Sequence, residues 1–232
     1  MAASFRFKRF SVRNELSALK VGTDAVLLGA AMTLKPGMLL DIGTGTGVIA
    51  LMAAQRIENQ RFSLHAIDID KESINEAQLN FADSPWAEYL SAEHCALSGF
   101  VPSHKFDVIF SNPPFYDNSL TNPDEREAAA RHTQTLSYRE IFAFAADWLA
   151  PEGSLSLILP ADQETAVLRT AASFGLYPFR IIRISTTPRK PVKRLILEFG
   201  RTKAKTSEES LVLQNGNARS GQYAELTKEF YL

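Results

Sequence analysis

The sequence predicts one α/β domain with a doubly wound, mostly parallel sheet of seven strands, helices on both faces and an antiparallel hairpin at its end. Three observations predict this fold. The apolar run 38–42 breaks into alternating glycines and then a helical pattern over Val48–Ile57. A second run ends in an acid, Asp68, and a later run, Phe106–Ser111, ends in Asn112-Pro113-Pro114-Phe115. Repeated strand, turn and helix patterns are typical of parallel sheets.

The first strand leads into the loop D-x-G-x-G-x-G, which begins at Asp41 and contains Gly43, Gly45 and Gly47. Glycines permit a tight turn and let a ligand approach the main chain and the following helix. The spacing differs from the dinucleotide fingerprint G-x-G-x-x-G, and the preceding acid would repel a phosphate. Asp41 is therefore predicted to contact an ammonium group, such as that of the methionine part of S-adenosylmethionine.

The second strand, 64–68, ends at Asp68, where an acid in doubly wound folds accepts hydrogen bonds from both ribose hydroxyls. Asp70 is the other nearby acid that could contact the ribose, but it is predicted to cap the helix that begins near Lys71. The alternative for Asp68 is a loop or cap carboxylate without a ligand. Its position after the glycine loop favours the ribose.

The fourth strand, Phe106–Ser111, delivers Asn112 to the end of the sheet where ligands of parallel sheets bind. The Asn112 side-chain oxygen and the Pro113 carbonyl can both accept hydrogens from an NH2 group, while Pro113 and Pro114 donate nothing in competition. Phe115 can stack on a planar base, a contact worth about 1–3 kcal/mol per base. The motif therefore predicts a site for an exocyclic amine, and the alternative is a turn with a buried phenylalanine.

The remaining elements complete the doubly wound sheet. A helix is predicted near 137–149, a strand over 154–159 and a helix over 161–174. Apolar runs at 181–184 and 195–199 predict the terminal hairpin.

Two polar segments connect these elements. Residues 116–136 form a long loop of the kind that serves as a lid or binding loop, in which Arg131 and His132 either meet substrate or form a surface pair. Residues 202–209 are predicted to be a charged link rather than a domain boundary.

Composition narrows the protein class. A chain of 232 residues that is 45% hydrophobic and 22% charged can form one domain with a sizeable core. No run approaches a membrane span or a signal peptide, which predicts a cytoplasmic protein. The single cysteine, Cys95, excludes an internal disulfide, and the four histidines lack metal-ligand spacing, so no metal is expected.

The net charge of −1 argues against a uniformly basic surface, but two segments are basic. Residues 1–20 contain five cations against one acid, and residues 178–205 contain nine against one. If the fold brings both to the rim that carries Asn112, they form a phosphate-contacting surface for RNA. The alternative is solvated faces of strands.

These motifs resemble the class I S-adenosylmethionine-dependent methyltransferases of the N-P-P-F/Y, amino-methylating type. Within them the chain is similar to the bacterial tRNA adenine N6-methyltransferases that act on adenine 37 of valine tRNA 1, and the likeness extends to residues 19–29, 130–132 and 226–232. The resemblance implies a Rossmann-like fold, S-adenosylmethionine as cofactor with S-adenosylhomocysteine as product, and a tRNA substrate. It implies Asn112 to Phe115 at the target base and a cofactor cleft lined by Thr23, Asp24, Asp41, Gly43, Gly45 and Asp68.

One position departs from the family pattern. Many relatives end the third strand in an acid that contacts the cofactor adenine, and Ala96 stands at the aligned place here. Backbone groups of Ala96 and Leu97 are expected to hold the adenine instead. The chain is predicted to divide into an N-terminal extension with a pre-core helix (1–36), a catalytic core (37–200) and a C-terminal segment (201–232) of one domain.

Two alternatives to the tRNA enzyme remain open at this stage. The same chemistry suits other amines, namely a release-factor glutamine, an rRNA guanine or an amino group of DNA adenine or cytosine. A cofactor-binding module without catalysis is the third hypothesis, which the presence of both Asp68 and Asn112 disfavours.

Overall fold

The computed structural model describes residues 4–17, 20–114 and 136–232. In these residues the strands are β1 (Ser4–Arg6), β2 (Ser11–Arg13), β3 (Gly37–Ile42), β4 (Phe62–Asp68), β5 (Leu90–His94), β6 (Phe106–Ser111), β7 (Leu149–Pro160), β8 (Tyr177–Ser185), β9 (Val192–Gly200), β10 (Ser207–Val212), β11 (Gln214–Asn215) and β12 (Ala218–Arg219). The α-helices are α1 (Thr23–Ala31), α2 (Val48–Ile57), α3 (Lys71–Ala82), α4 (Tyr138–Trp148), α5 (Glu164–Ser173) and α6 (Gly221–Thr227). Short 3-10 turns occupy Ala87–Tyr89, Leu97–Gly99 and Ala161–Gln163.

The central sheet of the described residues has eight strands in the order β10-β8-β9-β7-β6-β3-β4-β5. Only β9 runs antiparallel to its neighbours, β7 and β8. We call the end of the sheet at which the parallel strands finish its carboxyl end. The order of the strands reverses between β3 and β6, and ligands of such sheets bind at the carboxyl end beside this reversal.

Apolar side chains cover both faces of the sheet in two separate clusters. One cluster joins the sheet to α1, α2, α3, α6 and the N-terminal hairpin β1–β2, and it includes Leu51 and Phe110. The other joins the sheet to α4 and α5 and includes Ile109 and Phe142. The predicted fold class, a mostly parallel sheet with helices on both faces and an antiparallel terminal hairpin, is confirmed. The division of the chain at residues 36 and 200 stays a prediction.

The sheet has one strand more than the sequence predicted. β10 overlaps the segment predicted to be a charged link, and it pairs in parallel with the edge strand β8. Of its six residues only Leu211 is buried. Charged pairs replace apolar contacts here, because Arg180 and Arg183 on β8 form ion pairs with Glu209 and Glu208 on β10. An edge strand held in this way lacks the apolar pattern that marks a central strand.

Helix ends follow the capping residues of the sequence. α3 begins after Asp70, whose carboxylate accepts hydrogen bonds from the amides of Glu72 and Ser73, as predicted. α4 begins after Ser137, which forms a capping box with Glu140. No helix among the described residues is both long enough and apolar enough to cross a membrane.

Candidate active site

A cavity of about 230 Å³ opens at the carboxyl end of the sheet, beside the point where the strand order reverses. The ends of β3, β4 and β6 and the segment after β5 form its walls. The lining residues among those described are Ser17, Ile42, Gly43, Gly45, Ile67, Asp68, Ile69, Asp70, Ser73, Cys95, Ala96, Leu97, Ser98, Asn112, Pro114, Leu136 and Glu140. Predicted cofactor residues from three different strands therefore meet in one cavity.

The glycine loop forms the floor of the cavity at the end of β3. Gly43, Gly45 and Gly47 all have positive φ values, 72°, 55° and 80°, which glycine adopts without the penalty that a Cβ brings. The loop is tied to β4, because the amides of Gly43 and Thr44 both donate to the carbonyl of Ile67, at 2.9 and 3.1 Å. Gly43 and Gly45 line the cavity, whereas Gly47 caps α2 and lies against the ring of Phe81.

Asp68 stands at the end of β4 with its carboxylate fixed by the backbone. Its Oδ2 accepts from the amide of Gly45 at 2.8 Å, and its Oδ1 accepts from the amide of Asp70 at 2.9 Å. Burial raises the pKa of Asp68, and these two hydrogen bonds oppose that rise. Each oxygen keeps a second lone pair, so the carboxylate can still accept two hydroxyl hydrogens.

The wall beyond Asp68 is apolar. Ile69 follows the acid directly and is 52% exposed although it is a large apolar side chain, and Leu97 lines the same cavity. Ala96 lies in the wall at the predicted place, after β5 and before the turn at Leu97–Gly99. Ile69 was not predicted from the sequence. Its position immediately after an acid-tipped strand is the signal that could have found it.

Asn112 and Pro114 line the cavity on the side of β6. The end of β6 is held to β3, because the Ser111 hydroxyl donates to the carbonyl of Ile42 at 2.7 Å. The Oδ1 atom of Asn112 is buried and accepts no hydrogen bond from the described residues. An unpaired buried acceptor in a cavity wall is suited to a ligand N–H donor. Phe115 lies outside the described residues, as do Arg131 and His132.

Asp41 lies beneath the glycine loop and not in the cavity wall. Its side chain is fully buried, its Oδ2 accepts from the Thr44 hydroxyl at 2.7 Å, and its Oδ1 has no hydrogen-bond partner among the described residues. Burial raises the pKa of Asp41 to about 7, with the Asp68 carboxylate adding to the rise and the Thr44 hydroxyl and the Ala50 amide opposing it. The predicted contact of Asp41 with an ammonium group stays a prediction.

Thr23 and Asp24 begin α1 and are not among the described residues that line the cavity. Asp24 instead pairs with Arg194 of β9, with 2.7 Å between Oδ2 and Nε. This ion pair joins α1 to the sheet. The role in cofactor binding that the resemblance implied for both residues stays a prediction.

A segment before α1, residues 13–17, reaches the cavity through Ser17, which the sequence did not single out. It is fastened to α3 by the carboxylate of Glu76, which is 2% exposed. This carboxylate accepts from the amides of Glu15 at 2.6 Å, Leu16 at 3.2 Å and Ser17 at 2.9 Å. Asn80 lies one turn further along α3. Its side-chain oxygen accepts a hydrogen bond from the amide of Arg13, and its NH2 group donates to the carbonyls of Arg13 and of Thr46 in the glycine loop. The segment and the loop are thus held by one face of α3.

The matching family model is the methyltransferase small domain, over residues 16–176. The chain belongs to this methyltransferase family. Relatives span nearly its whole length. A tRNA1(Val) (adenine(37)-N6)-methyltransferase from Flavobacterium johnsoniae is 39% identical over 98% of this chain and 99% of that protein. A protein of the same name from Parabacteroides distasonis is 42% identical over 98% of this chain and 97% of that protein.

Solved structures show the same fold at low sequence identity. A predicted O-methyltransferase from Agrobacterium tumefaciens aligns with a TM-score of 0.68 at 16% identity, over 89% of this chain and 96% of that one. A methyltransferase from Pyrococcus furiosus aligns with a TM-score of 0.58 at 22% identity, over 82% of this chain and 89% of that one. Among the described residues, no group of three or more His, Cys, Asp or Glu side chains is arranged to hold a metal ion.

The cavity of this methyltransferase fits a nucleoside joined to an amino acid. Two φ-positive glycines leave its floor without side chains, and Asp68 offers two fixed acceptor oxygens for a ribose. Ile69 and Leu97 provide apolar surface for a planar ring next to that acid. These features suit the planar ring and the ribose of S-adenosylmethionine, the cofactor of class I methyltransferases.

Proposed function

We propose that this enzyme transfers a methyl group from S-adenosylmethionine to the N6 atom of an adenine in tRNA, and that the target is adenine 37 of tRNA1(Val). The observation that carries the chemistry is the buried Oδ1 of Asn112 in the wall of the cavity, which has no hydrogen-bond partner among the described residues. The substrate rests on relatives that bear this activity in their names at about 40% identity over nearly the full chain.

We assign the cofactor half of the cavity as follows. Asp68 accepts the ribose hydroxyls, and the backbone of Gly43 and Gly45 borders the amino-acid part. Ile69 and Leu97 border the adenine, with the backbone of Ala96 and Leu97 in place of the acid found in many relatives. When bound, S-adenosylmethionine supplies a methyl group on a positively charged sulfur and leaves as S-adenosylhomocysteine.

The residues of β6 prepare the amine for methylation. An adenine N6 is a weak nucleophile because its lone pair is delocalised into the ring. Oδ1 of Asn112 and the carbonyl of Pro113 each accept one N6 hydrogen, which favours a pyramidal nitrogen whose lone pair is available. Holding the amine in line supplies most of the remaining rate enhancement. The N6 proton becomes more acidic as the new bond forms, so it leaves to solvent without a strong general base.

A base inside an RNA loop must be turned out of its stack to reach this cavity. Stacking on Phe115 is the contact that we propose for the extruded ring. The proposed partner is valine tRNA. The proposed location is the cytoplasm, because the proposed substrate is a tRNA.

The test is methyl transfer from S-adenosylmethionine to unmodified tRNA1(Val), followed by nucleoside mass spectrometry. We expect N6-methyladenosine, and we expect it to be absent when adenine 37 is replaced by guanine. A release-factor protein serves as the competing substrate. Transfer only to that protein would assign the enzyme to glutamine methylation, and transfer to neither substrate would contradict the proposed target.

Two variants test the assignment of the two halves of the cavity. Asn112→Ala is expected to lose most turnover while it keeps its affinity for S-adenosylmethionine. Asp68→Ala is expected to lose cofactor affinity first. Isothermal titration with S-adenosylhomocysteine separates the two effects, and an equal loss of cofactor binding in both variants would contradict the assignment.

A further inference from the structure

The nine cations of the basic segment 178–205 fall into three groups in the structure. Four arginines have intramolecular partners. Arg180 pairs with Glu198 and Glu209, and Arg183 pairs with Glu164 and Glu208. Arg194 pairs with Asp24, and Arg201 donates to three backbone carbonyls near the end of α4. The three arginines that pair with carboxylates contribute little free positive charge, and Arg201 is held by carbonyls at the opposite end of the sheet.

The second group forms a compact basic turn, residues 188–193, which comprises the end of the β8–β9 connection and the first two residues of β9. Arg189, Lys190 and Lys193 are all exposed, and none forms a side-chain hydrogen bond or ion pair with a described residue. Pro188 and Pro191 flank Arg189 and Lys190, and proline restricts the backbone on both sides of the two cations. A stiff turn that presents three free cations loses little conformational entropy when it meets an anion.

Strand register places the basic turn at the carboxyl end of the sheet. Leu157 of β7 lies level with Ser111, the residue before Asn112, and Pro160, at the end of β7, lies level with Arg194 of β9. Two strand spacings and a few residues of extended chain put the turn roughly 20 Å from Asn112. A base held at Asn112 remains joined to its sugar-phosphate chain, which must leave the cavity across this end of the molecule.

The third group, and Arg9 and Arg13 of the N-terminal basic segment, lie elsewhere. Lys203 and Lys205 follow β9, which ends at the opposite end of the sheet. Arg9 pairs with Glu58, just beyond the last residue of α2, and Arg13 pairs with Asp83, just beyond α3. Both helices start at the carboxyl end and return to the opposite end. Arg9 and Arg13 therefore lie away from the rim around Asn112.

We propose that the basic turn is a docking surface for the phosphate backbone of the RNA substrate, and that Arg189, Lys190 and Lys193 each contact it. This inference rests on the proposed function and adds to it the surface that holds the RNA outside the cavity. Phosphate contacts fix the position of a nucleic acid without reading its sequence. The turn therefore governs affinity for tRNA and not the choice of base.

The test compares two triple variants with equal loss of charge. Arg189→Ala/Lys190→Ala/Lys193→Ala removes the turn cations, and Lys105→Ala/Lys203→Ala/Lys205→Ala removes three exposed cations from the opposite end of the sheet. Binding of unmodified tRNA1(Val) is measured as a function of salt, together with methyl transfer and the Kd for S-adenosylhomocysteine. Loss of three phosphate contacts is expected to weaken tRNA binding by about tenfold or more and to reduce the salt slope by roughly 2–3.

The expected pattern is specific to the turn variant, with kcat at saturating tRNA and cofactor Kd unchanged in both variants. Suppose that the wild-type enzyme is active and that the turn variant binds tRNA with the same affinity and the same salt slope as the wild type. That result would overturn the inference and leave the proposed function standing. Equal weakening in the control variant would also overturn it, because that result indicates a nonspecific charge effect. If the wild-type enzyme methylates no tRNA, the proposed function fails and this inference fails with it.

Discussion

The carboxylate of Glu76 is the most sharply testable contact around the cofactor cavity. It accepts three backbone amide hydrogens, from Glu15, Leu16 and Ser17, and Ser17 lines the cavity. We predict that Glu76→Gln loosens this segment and weakens binding of S-adenosylmethionine. The substitution keeps the shape of the side chain but replaces one acceptor oxygen with an NH2 group that faces an N–H donor.

The magnitude follows from the hydrogen bonds that are lost. A buried amide left without an acceptor costs about 1–3 kcal/mol. If the cofactor binds only to molecules in which the segment is in place, the apparent Kd is inversely proportional to the fraction of such molecules. A tenfold fall in that fraction therefore raises the apparent Kd tenfold. The expected increase in Kd is therefore up to about 5- to 150-fold, since 1.4 kcal/mol corresponds to a factor of ten. Turnover at saturating cofactor is expected to stay near the wild-type value, because saturation restores the docked segment.

Isothermal titration with S-adenosylmethionine measures Kd, and hydrogen exchange measures the protection of the amides of residues 15–17. Glu72→Gln is the matched control, because Glu72 lies on the exposed side of the same helix. Faster exchange at residues 15–17 with a Kd within twofold of wild type would refute the link between the segment and the cofactor. Unchanged exchange would refute the role of Glu76 as its anchor.

Three further predictions concern stability and pH. The pKa of Asp41 is raised to about 7, so the folded state holds an extra proton between about pH 4 and 7. The free energy of unfolding should thus fall by up to about 4 kcal/mol as pH rises through this window, and urea titrations of Asp41→Asn should lack this fall. Gly47→Ala should destabilise by more than the roughly 1–2 kcal/mol expected for Gly175→Ala, because both glycines have positive φ but only Gly47 has an aromatic atom 2.5 Å from the added Cβ; equal urea midpoints would contradict this. Glu198→Ala should cost about 3–5 kcal/mol, because this fully buried carboxylate pairs with Arg180, whereas Glu209→Ala, which removes the half-exposed partner of the same arginine, should cost under about 1 kcal/mol.

Residues whose position depends on local sequence were the ones that could be predicted. The glycine loop, Asp68 and Asn112 each follow an apolar strand directly, so the fold class alone carries them to the same end of the sheet. Asp70 was predicted as a helix cap because capping is a contact over two or three residues. The bounds of α2 and β6 agree with the predicted ones for the same reason.

Residues whose role depends on distant partners could not be predicted. Glu76 is an acid in the middle of a helix, and only the fold brings the amides of residues 15–17 to it. Arg180 and Arg189 are both cations of one basic segment, yet the first is held by buried Glu198 and the second is free of described side-chain partners. Charge counts along a chain do not separate these cases. The strand register and the ion pairs do.

The two halves of the cavity differ in how their polar atoms are satisfied before any ligand arrives. Both oxygens of Asp68 already accept a backbone amide, so the carboxylate is fixed in position and its remaining lone pairs point outward. Oδ1 of Asn112 is buried and has no hydrogen-bond partner among the described residues, which carries a desolvation penalty that a ligand donor would relieve. A planar ring that presents an N–H at this position gains that interaction, whereas an analogue with a carbonyl there places two acceptors against each other. Under the proposed function, the Oδ1 atom of Asn112 and the Pro113 carbonyl favour an amino group over a carbonyl group on the target base, so an inosine at the target position is expected to bind more weakly than adenosine.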